Sequence, residues 1–345
     1  MNIILPLSSL AAYGVAAWGV HRATRIPPHH PEHQVATADG FSLTVGEYGS
    51  AGGPVVLLQH GLAATGDAFD LAPHGPSPAR WLAGQGFHVF VGNLRGRPRN
   101  ARTPARTWSF SDYLMRDLPA VVGFIRERTG RDVHWVGHSM GGILGLAYAG
   151  HYRTGLMSVT SLGSALHYGA GSSVFRHASR LKPALARIER IPWRRIQQAI
   201  APLGWLGLGQ APLCNPRNMR GRAIAATLAH VFMDMTRDEL LELGTSFEGE
   251  GIACAGLGRR LPEVAADLPV PWLSVVGEAD LQCPPDCAAW TFERVRAPEK
   301  RLLLAGRTSG HAHDYGHFDL VTGARAIEEV WAPVAAFLRS VEGSS

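Results

Sequence analysis

Gly137-His138-Ser139-Met140-Gly141 matches G-x-S-x-G, the pattern in which a sharp turn pushes a serine hydroxyl out for nucleophilic attack. A hydroxyl is a weak nucleophile until a base takes its proton, and that base must be an imidazole oriented by an acceptor on its other nitrogen. Of 16 histidines, His317 in Tyr315-Gly316-His317-Phe318-Asp319 is the best placed. In the chain order Ser, acid, His, the base falls on the loop after the last strand. His311 and His313 are its rivals; their His-x-His spacing lacks a third ligand that would make a metal site. The acid is Asp280 in Gly277-Glu278-Ala279-Asp280, a few residues past an apolar strand, with Glu278 and Asp286 as alternatives. Negative charge developing on a substrate oxygen needs two converging N–H donors. The backbone of Met140 supplies one and that of Leu62, in His60-Gly61-Leu62, the other. Together these residues spell acyl transfer through a covalent intermediate, with no cofactor and no metal.

The pentapeptide alone is weak, since this composition predicts about 0.3 chance matches. Its setting is what gives it weight. An apolar strand at 133–136 runs into it and a helical pattern leaves it, the strand, turn and helix that a nucleophile elbow needs. Strands are expected at 41–48, 55–59, 87–91, 133–136, 157–162, 272–276 and 301–304. Helices are expected at 78–85, 111–128, 139–152 and 324–341. Near-continuous apolar runs such as Val55-Val56-Leu57-Leu58 fit strands covered on both faces. The alternation predicts an α/β protein with a mostly parallel sheet and helices on both faces.

Two regions break this pattern. Between about 166 and 262 the chain is Arg-rich and punctuated by Pro192, Pro202, Pro212 and Pro216, with helical periodicity. Residues 176–200 read as an amphipathic helix, either the face of a cap meeting lipid or substrate or an ordinary helix with a solvated basic side. The expected organisation is an apolar segment and linker at 1–34, core at 35–165, helical cap at 166–262 and core again at 263–345. Residues 3–20 form an uncharged run of nearly bilayer length, followed by His21, Arg22 and Arg25. Read as a membrane anchor, its trailing positive charges keep the catalytic body cytoplasmic. A cleaved signal over residues 1–25 would instead make the protein secreted or periplasmic, though no basic residue precedes the run. The third reading is an apolar helix docked on the body.

The formal charge is +5, and 33 residues are Lys or Arg. No nucleic-acid motif accompanies that excess, so a nucleic-acid partner is not expected. Four cysteines, Cys214, Cys254, Cys283 and Cys287, contain no C-x-x-C pair and are too few for a disulfide scaffold.

The sequence resembles the α/β-hydrolase superfamily, and within it the acid lipases of gastric and lysosomal type. The likeness runs through Leu58-Gln59-His60-Gly61-Leu62, Gly92-Asn93-Leu94-Arg95-Gly96, Trp108-Ser109-Phe110, Asp117-Leu118-Pro119-Ala120, the elbow after Thr129-Gly130, and Tyr315-Gly316-His317-Phe318-Asp319. It covers roughly residues 35–165 and 265–342. The resemblance implies Ser139 as nucleophile, Asp280 as acid, His317 as base, and Leu62 and Met140 at the oxyanion hole. Two departures stand out: Met140 where those lipases usually carry Gln, and an insertion that does not align. The expected function is a serine esterase or lipase acting on hydrophobic acyl esters, with an acyltransferase or thioesterase using the same triad as the alternative. A non-catalytic scaffold binding a hydrophobic ligand is the remaining class.

Overall fold

The structure is a computed structural model that describes residues 7–26, 30–97, 107–178, 187–208 and 212–343, with side chains from residue 12 onward. Among these, eight strands form one sheet: β1 Glu32–Ala36, β2 Ser42–Tyr48, β3 Val55–Gln59, β4 His88–Gly92, β5 Val133–His138, β6 Leu156–Leu162, β7 Trp272–Gly277 and β8 Lys300–Ala305. Their spatial order is β1-β2-β4-β3-β5-β6-β7-β8. β2 pairs antiparallel with β1 and β4, and every later pair is parallel.

The period of two along each strand sorts the core. In β3, Val55 and Leu57 join one apolar cluster while Val56 and Leu58 join the other, because successive side chains leave a strand on opposite faces. Helices α1 Leu7–Ala23, α2 Pro78–Gly84, α3 Leu118–Thr129, α4 Met140–Tyr152, α5 Trp193–Trp205, α6 Pro285–Arg294 and α7 Ala332–Glu342 complete the frame. Helices α3 and α4 cover the first face through Val121, Ile125, Ile143 and Leu146. Helices α2 and α7 cover the second through Leu82, Val334 and Phe337. Each such side chain taken fully from water contributes about 1.5–3 kcal/mol. The sheet is therefore sandwiched, as the near-continuous apolar strands predict.

The insertion divides into two parts. Residues of α5 and of the helix Gly221–Ala226 form a third apolar cluster with Ile26 and with Ala64, Ala68 and Leu71 from the loop after β3. The stretch that follows packs Ile252, Cys254 and Leu261 against the α3–α4 face.

Three expectations change in detail. Residues 176–200 are not one helix: a short helix Phe175–Ala178 and a strand Arg190–Ile191 precede α5, and residues 179–186 lie outside the described residues. Pro192 is the cause, since proline disfavours helix in the residue before it and suits a helix start. The sheet begins at Glu32, inside the segment assigned to the linker. Last, the apolar run at 3–20 is helical from Leu7, and residues 3–6 lie outside the described residues. That helix packs on α5, where the Tyr13 hydroxyl donates to the Ala199 carbonyl at 2.6 Å. No helix among the described residues is long and apolar enough to cross a membrane.

Candidate active site

Parallel pairing brings the carboxyl ends of β3, β5, β6 and β7 to one edge, with Gln59 opposite Gly137, His138 opposite Leu162 and Val275 opposite Leu162. Ligand sites of open α/β sheets form outside that edge. Ser139 directly follows β5 and opens α4. Its backbone is held at φ 55° and ψ −122°, a conformation that costs a non-glycine residue roughly 1–3 kcal/mol and that surrounding structure must impose. The flanking glycines allow it: a Cβ on Gly137 would stand 2.2 Å from the Gly141 carbonyl carbon, and one on Gly141 would stand 2.1 Å from the Gln59 oxygen. The Ser139 N–H donates to the Leu162 carbonyl at 2.7 Å and its carbonyl accepts from the Ser164 hydroxyl at 2.8 Å. The turn is thus tied to β6 from both sides.

His317 and Asp280 come from loops after β8 and β7 and meet at this edge. The imidazole Nδ1 donates to the Asp280 Oδ2 at 2.7 Å, and both residues are buried. The other carboxylate oxygen, Oδ1, accepts from the Gln282 and Cys283 N–H groups, each at 2.8 Å. Because Nδ1 carries the proton toward Asp280, Nε2 of neutral His317 is left as the acceptor. Gly163, between the two Ser139 anchors Leu162 and Ser164, packs against the pair: a Cβ there would lie 3.1 Å from both Asp280 Oδ2 and His317 Nδ1. Ser139 is thereby brought beside the pair through one short stretch of β6 and its loop.

The other candidates lie elsewhere. Asp286 accepts from Ser172 and from the Cys287 N–H, and Glu278 reaches the Thr308 N–H at 3.4 Å. His311 packs edge-on to Tyr315. No group of three His, Cys, Asp or Glu able to hold a metal ion occurs among the described residues. The four cysteines are free and buried, and burial pushes the Cys287 thiol up to about 12.

The loop carrying Leu62 is fixed by His60. Its Nε2 accepts from the Leu94 N–H at 3.2 Å, so Nδ1 donates to the Gly61 carbonyl at 2.9 Å. Burial, with Arg97 adding to it, holds His60 well below the usual histidine value and hence neutral. In a trans peptide the N–H points opposite to the C=O, so this bond turns the Leu62 N–H away from His60. Gly61 lies against the serine, its Cβ position 2.9 Å from Ser139 Cβ and 3.4 Å from Oγ. Neither the Leu62 nor the Met140 N–H donates to an acceptor among the described residues. Two donors are therefore free near one hydroxyl.

Several supporting residues escaped the sequence reading. His138 Nε2 donates to the His317 carbonyl at 3.1 Å, and burial, then the neighbouring His317, keeps its ring neutral. Asp319 accepts from the Gly316 N–H at 2.9 Å and from Asn218 Nδ2 at 2.8 Å, which folds the His317 loop on itself. Asn215 Nδ2 donates to the Asp314 carbonyl at 2.7 Å, and the Phe318 N–H donates to the Leu213 carbonyl at 2.9 Å. The insertion clamps the histidine loop. The Asn215-Pro216 turn was the one signal available for this. Arg95 and Asp117, quoted above for the resemblance, prove to be a buried ion pair at 2.7 Å that secures the turn after β4.

A model of the serine aminopeptidase S33 family matches residues 53–311, three quarters of the chain. The chain belongs to that family of α/β-hydrolases. It is 32% identical over 160 residues to triacylglycerol lipase 2 of Arabidopsis thaliana, covering 41% of this chain and 38% of that protein. It is 36% identical over 131 residues to human gastric triacylglycerol lipase, covering 33% of each. The matched stretch thus spans only about a third of these curated relatives. Among solved structures, a Paleococcus ferrophilus monoacylglycerol lipase superposes with TM-score 0.61 at 20% identity, over 87% of this chain and 99% of that one. A structure titled as a membrane phospholipase A does so with TM-score 0.59 at 19% identity, over 99% and 93%. At such identities these structures speak to fold.

Proposed function

We propose that this S33-family member is a carboxylic ester hydrolase in which Ser139 is the nucleophile, His317 the general base, Asp280 its orienting acid, and the Leu62 and Met140 N–H groups the oxyanion hole. The observation that carries the reading is the buried 2.7 Å contact between His317 Nδ1 and Asp280, set beside a serine held at φ 55°. Ser139 Oγ attacks the ester carbonyl as its proton passes to His317 Nε2. The oxyanion accepts from the two free N–H groups, worth about 3 kcal/mol of barrier for each donor. As the tetrahedral adduct collapses, His317 returns the proton to the departing alcohol. Water then repeats the sequence in the same site and releases the acid.

Hydrophobic acyl esters are the proposed substrates, in keeping with the triacylglycerol lipases it resembles over a third of their length. The proposed location is a membrane surface, with the catalytic body on the cytoplasmic side. Outward residues of α1 and α5 support that reading, with Trp18 62% and Leu206, just past α5, 70% exposed. Exposed apolar clusters of this kind mark interaction surfaces.

The test is hydrolysis of p-nitrophenyl esters from acetyl to palmitoyl by wild type and Ser139→Ala. Wild-type activity with a variant near background is the expected result, a loss of the order of 10⁶ in kcat. Equal rates for both would remove Ser139 from the mechanism. Activity confined to an aminoacyl anilide would replace the ester by a peptide substrate.

A further inference from the structure

A cavity of about 490 Å³ lies between α1, the loop after β3 and the insertion. It belongs to no part of the machinery above. Three guanidinium side chains line it, Arg22, Arg25 and Arg194, against one carboxylate, Asp67. All three arginines are exposed to solvent, and none of their guanidinium groups pairs with a carboxylate among the described residues, although the Arg194 backbone N–H donates to Asp234 Oδ1 at 3.2 Å. His21 and His230 complete this wall, their rings 4.5 Å apart. Two polar atoms at the cavity lack any partner: the buried Nδ1 of His21, and Oγ1 of Thr65, a residue only 3% exposed. A buried hydroxyl is ordinarily satisfied, so the orphan Thr65 Oγ1 beside guanidinium groups without a carboxylate points to a missing acceptor. Mutual repulsion is already felt there: burial and Arg194 together lower the His21 pKa.

We propose that this cavity binds the phosphate of an anionic lipid headgroup, resting on the membrane-surface reading above. Guanidinium forks match phosphate oxygens in shape and charge, and the volume falls within the usual range for a small-ligand site. The lipid source is favoured over a soluble phosphate by Trp18. It lines the cavity, is 62% exposed and stacks with Arg22 at 5.4 Å, the indole-beside-cation arrangement of a membrane interface. Val15, one turn earlier on the same side of the helix, continues the exposed apolar face at 68%. A lipid would place its phosphate among the arginines with its chains beside that face. Since Thr65 follows the Leu62 loop, the site would seat the membrane next to the oxyanion donors.

The experiment uses the full chain and vesicles of phosphatidylcholine with and without phosphatidylglycerol, at fixed ionic strength, scored by cosedimentation. Inorganic phosphate is tested separately by thermal shift. Wild type should prefer phosphatidylglycerol vesicles, and Arg194→Ala should lose about fivefold in that partitioning. Arg195→Ala removes an equal charge from α5 at a residue that does not line the cavity, and should lose clearly less. Thr65→Val should weaken the preference without changing charge. Equal losses for Arg194→Ala and Arg195→Ala would overturn the site in favour of diffuse attraction. Protection by inorganic phosphate without vesicle binding would overturn the lipid source, and binding of neither would overturn both. Hydrolysis of a soluble p-nitrophenyl ester by every variant scores the catalytic reading independently, and it should stay at the wild-type rate.

Discussion

The Asp280 carboxylate accepts three hydrogen bonds, from His317 and from the Gln282 and Cys283 N–H groups, whereas the cavity at Arg194 presents cations and an orphan hydroxyl to open space. Both regions hold paired histidines and both flank the loop after β3. One is closed by its own residues and the other waits for an anion. A closed network preorganises chemistry and needs nothing further; an open one implies an outside partner. Asp280→Asn breaks the first region and leaves the second untouched. Oδ1 would keep its two backbone donors, so the new amide would turn its NH₂ toward His317 Nδ1. That forces the proton onto Nε2, the wrong tautomer for taking the serine proton. A loss of about 10⁴ in kcat with little change in KM is expected, measured on a soluble ester beside Arg194→Ala, which should be unaffected. An Asn variant within tenfold of wild type would mean that the 2.7 Å contact does not set the tautomer.

Gly163 sharpens the comparison, because the closed region tolerates no extra atom. With φ +59° and a Cβ position 3.1 Å from both Asp280 Oδ2 and His317 Nδ1, Gly163→Ala strains the turn and presses on the pair. Misplacing catalytic groups by a fraction of an ångström to one ångström costs up to about 10² in rate. Steady-state kcat and the rate of labelling by a serine-directed phosphonate should fall together. A fall in melting temperature with unchanged kcat would show that the pair moves aside freely.

The elbow was legible because its constraints are local. Gly137 and Gly141 are dictated by approaches within a few residues and to the adjacent strand, and β-branched runs mark the strands that carry them. His317 and Asp280 were legible by their place after strands, and structure brings those two together while leaving Glu278, Asp286 and His311 with other partners. The clamp by Asn215 and Asn218 was not legible, since it joins residues about a hundred positions apart. The edge strand Glu32–Ala36 was missed for a different reason. It buries only Val35 fully, so its Glu, His and Gln hide the alternation that reveals a half-buried strand. Hydropathy alone could not distinguish a bilayer from a groove on the insertion for α1, because both solvents are apolar.

The smallest expected effect lies in the open region and concerns protons. Burial, and then His21 nearby, lower His230 to about 4. The groups facing it are His21 and the Thr24 hydroxyl from α1 and its end, His74 from the loop after β3, and Arg194 from α5. Its unfolded value is near 6.5, so between pH 6.5 and 4 the unfolded chain takes up a proton that the folded chain refuses. Stability therefore falls as pH drops through 6.5, and the loss stops growing below about 4, where the folded form is protonated too. Asp319, pushed up to about 6 by burial, works in the opposite sense over pH 6 to 4, so the net slope of wild type is not the test. The test is the difference in melting temperature between wild type and His230→Gln, measured at pH 7 and pH 5. Wild type should lose on the order of 2 °C relative to the variant on acidification. Phosphatidylglycerol vesicles should shrink that loss, because an anion among Arg22, Arg25 and Arg194 favours the imidazolium. A difference equal at both pH values would mean that His230 is not held neutral by burial, and the contrast between the two regions would then rest on the arginines alone.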